Sequence, residues 1–325
     1  MTLIDGKVLN VLTGTNSCQV CPLCGAKPNQ LLKTTDFNSA VFAVNSKSLQ
    51  FGVSPLHAWI RFLEFVLKIS YRLEVKKWRV KGSDKQNVCQ RKQYIQRRLR
   101  NEMGLNVDSP KQNGSGNTND GNTARRAFNN VELFSNILSF DDQILRNFYT
   151  ILITISCEYK VNSWKFKDLC EKTFYMYTAK YIWYPMSPTV HKILVHGHQI
   201  MDNCIVPVGV LGENASEARN KIYKNDRKSH ARKSSRLENI SDVFNRALDS
   251  SDPLISSLSL KERARRNRRK NLPSEVVELL EDCSHNTSNQ HTGSTESQDE
   301  EDDSDGTDED TYDDNCIELE EEESD

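Results

Sequence analysis

Three stretches carry residues whose types and spacing could do chemistry. The first is Cys21-Pro-Leu-Cys24-Gly25, a C-x2-C knuckle. A turn of this kind lets two thiolates reach one Zn²⁺, which takes four tetrahedral ligands. No second C-x2-C occurs, so the other ligands must come from far along the chain. The obvious source is HKILVHGH, with His191, His196 and His198. On an unbroken helix, residues five apart diverge by about 140° at 3.6 residues per turn, so His191 and His196 would not share a face. From the residues alone, the knuckle reads equally well as a cysteine-containing turn, and the histidines as core or surface residues.

The second stretch is Gly209–Arg236, with Glu217 ahead of a dense basic run. Ala, Glu, Lys and Arg favour helix, and no Pro or Gly interrupts Ala215–Arg236. On one continuous helix Glu217, Lys221, Lys224, Lys228 and Arg232 step by four, three, four and four, and Arg227 lies beside them. An acid heading a lysine stripe suits a place where a metal and a nucleic-acid phosphate meet. The competing reading is a solvated helix with a Glu–Lys pair worth about 0.3 kcal/mol, and charge pattern alone favours it. The third stretch is Asn117–Phe128, which puts Gly121 and small polar residues before Arg125 and Arg126. Backbone N–H groups at such a helix start, with two arginines, suit phosphate contact; an ordinary cap with exposed arginines fits the letters as well.

The elements that must position these residues read as mostly helical. Pro55–Trp78 has apolar residues at a spacing close to 3.6. Gln86–Met103 reads as a strongly basic helix, Asn106–Thr123 as loop, Asp141–Lys160 and Trp164–Tyr184 as buried helices, and His191–Asn203 as a helix. The aromatic stripe of Trp164–Tyr184 reads as core rather than as a base-stacking platform. His57 reads as a core histidine, and Cys89, Cys157, Cys170 and Cys204 as inert thiols. Residues 6–13 mix Val and Leu between turn formers and read as a short strand with Asp5 just before it. The helix after Gly209 is expected to run towards Leu248.

Charge is divided sharply. The chain of 325 residues holds 43 basic and 45 acidic residues, yet no Lys or Arg follows Lys270. Residues 1–270 carry 43 basic against 23 acidic residues, a net of +20. A body this basic points to a polyanionic partner, most simply nucleic acid. Glu296–Asp325 has 18 acids in 30 residues and little to bury, so the tail is expected to be disordered, with order fading from about Asn271. Nine scattered cysteines argue against a disulfide framework and for a reducing compartment. The N-terminus lacks the pattern of a secretory signal. The most apolar run, Trp59–Leu73, contains Arg61, Glu64, Lys68 and Arg72, which excludes a transmembrane span there. ARRNRRK, residues 264–270, is a weak nuclear-import signal.

Taken in order, DGKV (Asp5–Val8), C-x2-C-x-A (Cys21–Ala26), NDGN-T-ARR (Asn119–Arg126), HKILVH (His191–His196), and EARNK (Glu217–Lys221) leading to HARKSSR (His230–Arg236) resemble the V(D)J recombinase catalytic subunits and Transib-type DNA transposases. The resemblance covers Asp5 to Arg236. It implies the C-terminal part of an RNase H-like fold interrupted by a zinc-clipped helical insertion. In that family three carboxylates hold two Mg²⁺ or Mn²⁺ ions for DNA nicking and strand transfer. By resemblance Glu217 is the final glutamate and Asp5 the second aspartate. Cys21, Cys24, His191 and His196 are the zinc ligands, leaving His198 outside. Asn119, Asn122, Arg125 and Arg126 would contact double-stranded DNA, as would Lys221, Lys224, Arg227 and Lys228 of the basic run.

The implied division is a strand remnant of the core over 1–20, the helical insertion over 21–203, a catalytic-core helix over 204–250, and a basic cluster with an acidic tail over 251–325. The family's first aspartate has no counterpart, since only four residues precede Asp5. The expectation is therefore an incomplete core that would hold catalytic metals poorly by itself. A homodimer, a partner completing the core and a nuclear location are also implied. The alternative is a non-enzymatic, zinc-stabilised nucleic-acid-binding protein derived from such a transposase.

Overall fold

Helices begin where the sequence supplies caps. Ser54 accepts from the His57 N–H and Pro55 occupies the first turn of α3 (Pro55–Tyr71). Asp120 caps α5 (Gly121–Asn129), Asn130 caps α6 (Val131–Leu138), Asp141 caps α7 (Asp142–Ser156) and Asn162 caps α8 (Ser163–Tyr181). Ser187, followed by Pro188, starts α9 (Pro188–Asp202). The basic helix α4 (Asp84–Met103) stops at Gly104, whose left-handed φ of 61° closes its C-terminus. The computed structural model describes residues 6–15, 17–110, 117–211, 214–258 and 272–281, with the backbone alone at 6–8, 211 and 214–218. All belong to one compact unit ending at Glu281. The acidic tail of 282–325, and the expectation about it, lie outside the described residues, as does the basic cluster at 264–270.

The mostly helical expectation holds. Among the described residues the only β pairing is two isolated bridges, Pro110 with Asn117 and Val161 with Leu280. The core gathers round α3, which packs on α5, α7 and α9, while α8 lies against both α7 and α9. Trp59, Phe62, Leu63, Phe65 and Val66 of α3 are buried, and Phe62 meets Phe148 of α7 edge to face at 5.0 Å. Each such ring contributes on the order of 1.5–3 kcal/mol through the apolar area it removes from water. The aromatic stripe of α8 is core, as its spacing implied: Phe174, Tyr177 and Tyr181 are buried, and Tyr177 donates to the Tyr184 carbonyl. Cys157 and Cys170 are buried, Cys89 and Cys204 half-buried, and His57 is half-buried with Nδ1 2.9 Å from Ser54 Oγ.

Three expectations are corrected. The strand expected at 6–13 is not formed: Gly6–Leu12 is a helix, α1, and the next is the single turn α2 (Pro28–Leu31). Among the described residues a strand there would find no neighbour to pair with. The helix closes its own hydrogen bonds instead, with the Thr13 N–H donating to Leu9 O at 2.9 Å while the Leu9 side chain is buried. The long rod after Gly209 is broken. A 3-10 turn at Val208–Leu211 leads to α10 (Asn214–Asn225), a π-turn at Asp226–His230, a non-helical link, and α11 (Arg236–Ser251). The break coincides with Asp226 turning inward to accept from Arg246 Nε at 2.9 Å. The fading of order expected from about Asn271 is not seen at residues 272–281. A short helix α12 (Ser274–Val277) packs on α7 through the buried Val276. The Asn162 N–H donates to Leu279 O, and the Glu281 N–H to Lys160 O.

Candidate metal centre

The Cys21–Cys24 turn is built by its own backbone. The Gly25 N–H donates to Cys21 O at 2.8 Å and the Cys21 N–H to Ala26 O at 3.0 Å. Gly25 takes a φ of 74°, the left-handed region that a side chain disfavours. Leu23 is buried between the two cysteines, and its carbonyl accepts from the Asn45 N–H at 2.9 Å, which ties the turn to the segment that follows. That segment covers the centre: Phe42 sits edge-on to the His191 ring at 4.7 Å and packs on Phe174 of α8.

The opposite half comes from α9. Every residue from Val190 to Gly197 is buried, so this helix has no solvent face over that stretch. Its close contact with α8 depends on Gly197, where a Cβ would stand 2.9 Å from the Phe166 ring. The helix is unbroken, yet the rings of His191 and His196 lie 5.0 Å apart at 83°. The divergence expected for an i,i+5 pair is therefore overcome by the side chains. One ligand atom each from Cys21, Cys24, His191 and His196 falls within 4.8 Å of all the others. Cys24 Sγ is 3.4 Å from His191 Nε2, across 167 positions of sequence. His198 lies outside this set.

The chemistry of the donors fits a metal ion such as zinc. Two thiols and two imidazoles within bonding reach of one point form a Cys₂His₂ set. Cys21, His191 and His196 are almost wholly buried. His196 Nε2 is buried with no hydrogen-bond partner, an orphaned polar atom that a bound cation would satisfy. The Cys21 thiol is held well below its ordinary range, chiefly by the hydrogen bond from Cys24, against burial and with help from His191 and His196. The Cys24 thiol is pushed up by the same shared proton, so the pair behaves as one dithiol poised to ionise once. Burial lowers His191, favouring the neutral imidazole that a metal needs. Lys192, beside it in an apolar run, is buried, and desolvation pulls it down to about 8. Sequence reading passed over this residue, although a lysine inside KILV on a core helix is the signal for it.

The remaining candidate residues scatter. Asp5 lies outside the described residues, and so does the side chain of Glu217, whose backbone belongs to α10. Asn119 turns inward: its amide donates to Asp108 Oδ1, its Oδ1 accepts from the Asp108 N–H at 2.9 Å, and Tyr71 donates to the other Asp108 oxygen at 2.8 Å. Its side chain thus organises the loop ahead of α5, with Asp108 held at a φ of 51°. Asn122 and Arg126 are exposed on α5, and Arg126 also donates to Gly104 O at 3.3 Å. Arg125 is half-buried over the Trp59 ring at 5.7 Å. Lys221, Lys224, Arg227 and Lys228 are exposed, the first two on α10 and the last two in the π-turn that follows it. Arg232 leaves the stripe altogether and makes a two-pronged contact with Asp242. No helix among the described residues is long and apolar enough to cross a membrane. Compared with known proteins, the chain matches no protein-family model and no curated sequence.

Proposed function

We propose that this chain is the zinc-pinned helical part of a DDE-type DNA transposase or recombinase core, and that it binds double-stranded DNA. The carrying observation is the convergence of Cys21, Cys24, His191 and His196. The resemblance selects these four and passes over His198, although the helical geometry of His191 and His196 argues against them. Zinc there would be structural: it would hold the Cys21 turn against α9 and present the helices between them as one body. The basic excess supplies the second support, because a net of +20 over residues 1–270 favours a polyanionic partner. A nuclear location, self-association and a partner that completes the core belong to the same reading.

The catalytic role assigned to Asp5 and Glu217 is part of this proposal, with Mg²⁺ or Mn²⁺ as the ions they would hold. A second reading, a non-enzymatic DNA-binding protein that keeps the zinc-pinned body, is favoured by the helical form of Gly6–Leu12, where the core strand was expected. Mn²⁺-dependent nicking of a duplex, compared between the wild type and Glu217→Gln, separates the two. Activity lost in the variant supports the enzyme, and equal traces in both leave the binding protein. DNA binding itself is tested by the slope of log affinity against log salt, at about 0.9 per phosphate contacted. A flat line would remove both readings.

A further inference from the structure

The loop and helix of 74–103 hold ten basic residues and three acids. All three acids are already taken: Glu74 by Arg91, Asp84 by Lys77 and Glu102 by Arg98. Lys76, Arg79 and Lys81 are exposed on the approach to α4, and Lys85 is exposed in its first turn. The helix is fastened by Val88, Ile95 and Leu99 on its inner side. Opposite them run Gln86, Gln90, Gln93, Arg97 and Arg100, all exposed, at steps of four, three, four and three. That is one straight stripe about 21 Å long at 1.5 Å per residue. It contains amides and guanidinium groups and no carboxylate. Apart from Tyr94 beside it, no large apolar side chain of α4 is exposed.

A face of this chemistry has little to offer a protein partner, which would need apolar area at its centre. It matches a DNA major groove, which is wide enough for a helix. There Gln pairs bidentately with adenine and Arg with guanine. We propose that α4 lies in the major groove of a DNA duplex, its Gln86–Arg100 stripe towards the base edges and Lys76, Arg79, Lys81 and Lys85 on the phosphates alongside. This rests on the reading of the chain as a DNA-binding protein and adds where sequence would be read. Duplex RNA is excluded as the fitting partner because its major groove is too deep and narrow for side chains to read.

The test uses the full zinc-loaded chain, selection from a random 30-base-pair DNA library, and anisotropy with the selected duplex, the same sequence as RNA, and an unselected duplex. The wild type should enrich a motif and prefer it over the unselected and RNA duplexes. Gln90→Ala with Gln93→Ala should lose that preference by about tenfold or more while keeping the salt slope. Arg97→Lys with Arg100→Lys should also keep the slope and lose the preference, because an ammonium cannot make the forked contact. Lys221→Ala with Lys224→Ala should weaken all duplexes alike. Thermal melts identify any variant that fails to fold, and a photo-cross-linker at position 90 then reads the contact in an otherwise unaltered chain. Cross-links to DNA support the proposal; cross-links only to residues 282–325 would make the chain's own acidic segment the occupant and overturn it. Enrichment of no motif, equal binding of RNA, or unchanged preference in the α4 variants would also overturn it while DNA binding survives. A wild type that binds no DNA at low salt would remove the underlying reading too.

Discussion

The helices from α3 to α9 and the pair α10–α11 are built on different principles. In the first region side chains disappear into a shared interior, and a Cys₂His₂ set ties its beginning to its end. In the second, α11 buries nothing. Leu237, Ile240, Phe244 and Leu248 line one exposed side of it. The pair is held instead by polar contacts: Arg219 to Ala247 O and Ser251 Oγ, Arg246 to Asp226, and Arg232 to Asp242. A surface pair such as Arg232 with Asp242 contributes little, since water and salt compete for it, and only Asp226 among these groups is buried. Helicity alone therefore says nothing about where stability resides; what a helix covers decides it.

The largest break in this contrast should come from the metal centre. Cys21→Ser, or chelation of the wild type, should remove most of about 10 kcal/mol of metal-linked folding energy. That would appear as loss of the cooperative melt and of bound zinc, with α10–α11 amide exchange unmoved. A melting temperature indifferent to chelator would refute the pin. Next comes the same deletion made in both regions. Phe148→Ala, in the core, should cost about 3–5 kcal/mol in urea unfolding. Phe244→Ala, at 59% exposure, should stay within about 0.5 kcal/mol. Equal costs would mean that α11 is covered in solution. A smaller effect, about 1–3 kcal/mol, is expected for Gly209→Ala, because its new Cβ would meet Cys157 O at 2.2 Å.

The smallest effect concerns acid. Arg232, by a side-chain hydrogen bond, holds the half-buried Asp242 carboxyl down to about 2, below the value near 3.9 of an unfolded chain. The folded value is the lower one, so the pair's contribution is complete above about pH 4 and is lost as pH falls through about 2. Amide exchange near the start of α11 should speed up over that window, and Asp242→Asn should abolish the pH dependence.

Much of the helical body was legible because its cues are local. Ser54-Pro55, Asp141 and Ser187-Pro188 announce helix starts, and 3.6-residue spacing shows which sides are inside. The strand expected over 6–13 failed because a strand is defined by neighbours, which five or six apolar letters cannot reveal. The rod after Gly209 failed for a related reason. Its residues are good helix formers throughout, and the interruption coincides with Asp226 accepting from Arg246, twenty residues on, a contact that local sequence does not reveal. The metal set was legible only in part. The knuckle is a local pattern, but the choice of His191 and His196 came from resemblance, and an ideal-helix argument weighed against it. What that argument omitted is that α9 is buried all round, so side chains leaving different sides of it can still meet the same turn. Asn119 was expected to contact DNA by resemblance, and nothing local in its polar loop shows the carboxylate, eleven positions away, that pulls it inward.

The 167 positions between Cys24 and His191 also set an order in time. During synthesis at about 5–20 residues per second, the thiols emerge roughly ten to thirty seconds before the imidazoles that complete their set. Over that interval the dithiol is a half-made set, open to oxidation or to capture of the wrong ion, while α3 to α8 collapse without α9, the helix that packs on both α3 and α8. The last third of the body thus acts as the latch, and a ribosome stalled before α9 would release a chain with its interior assembled around a missing centre.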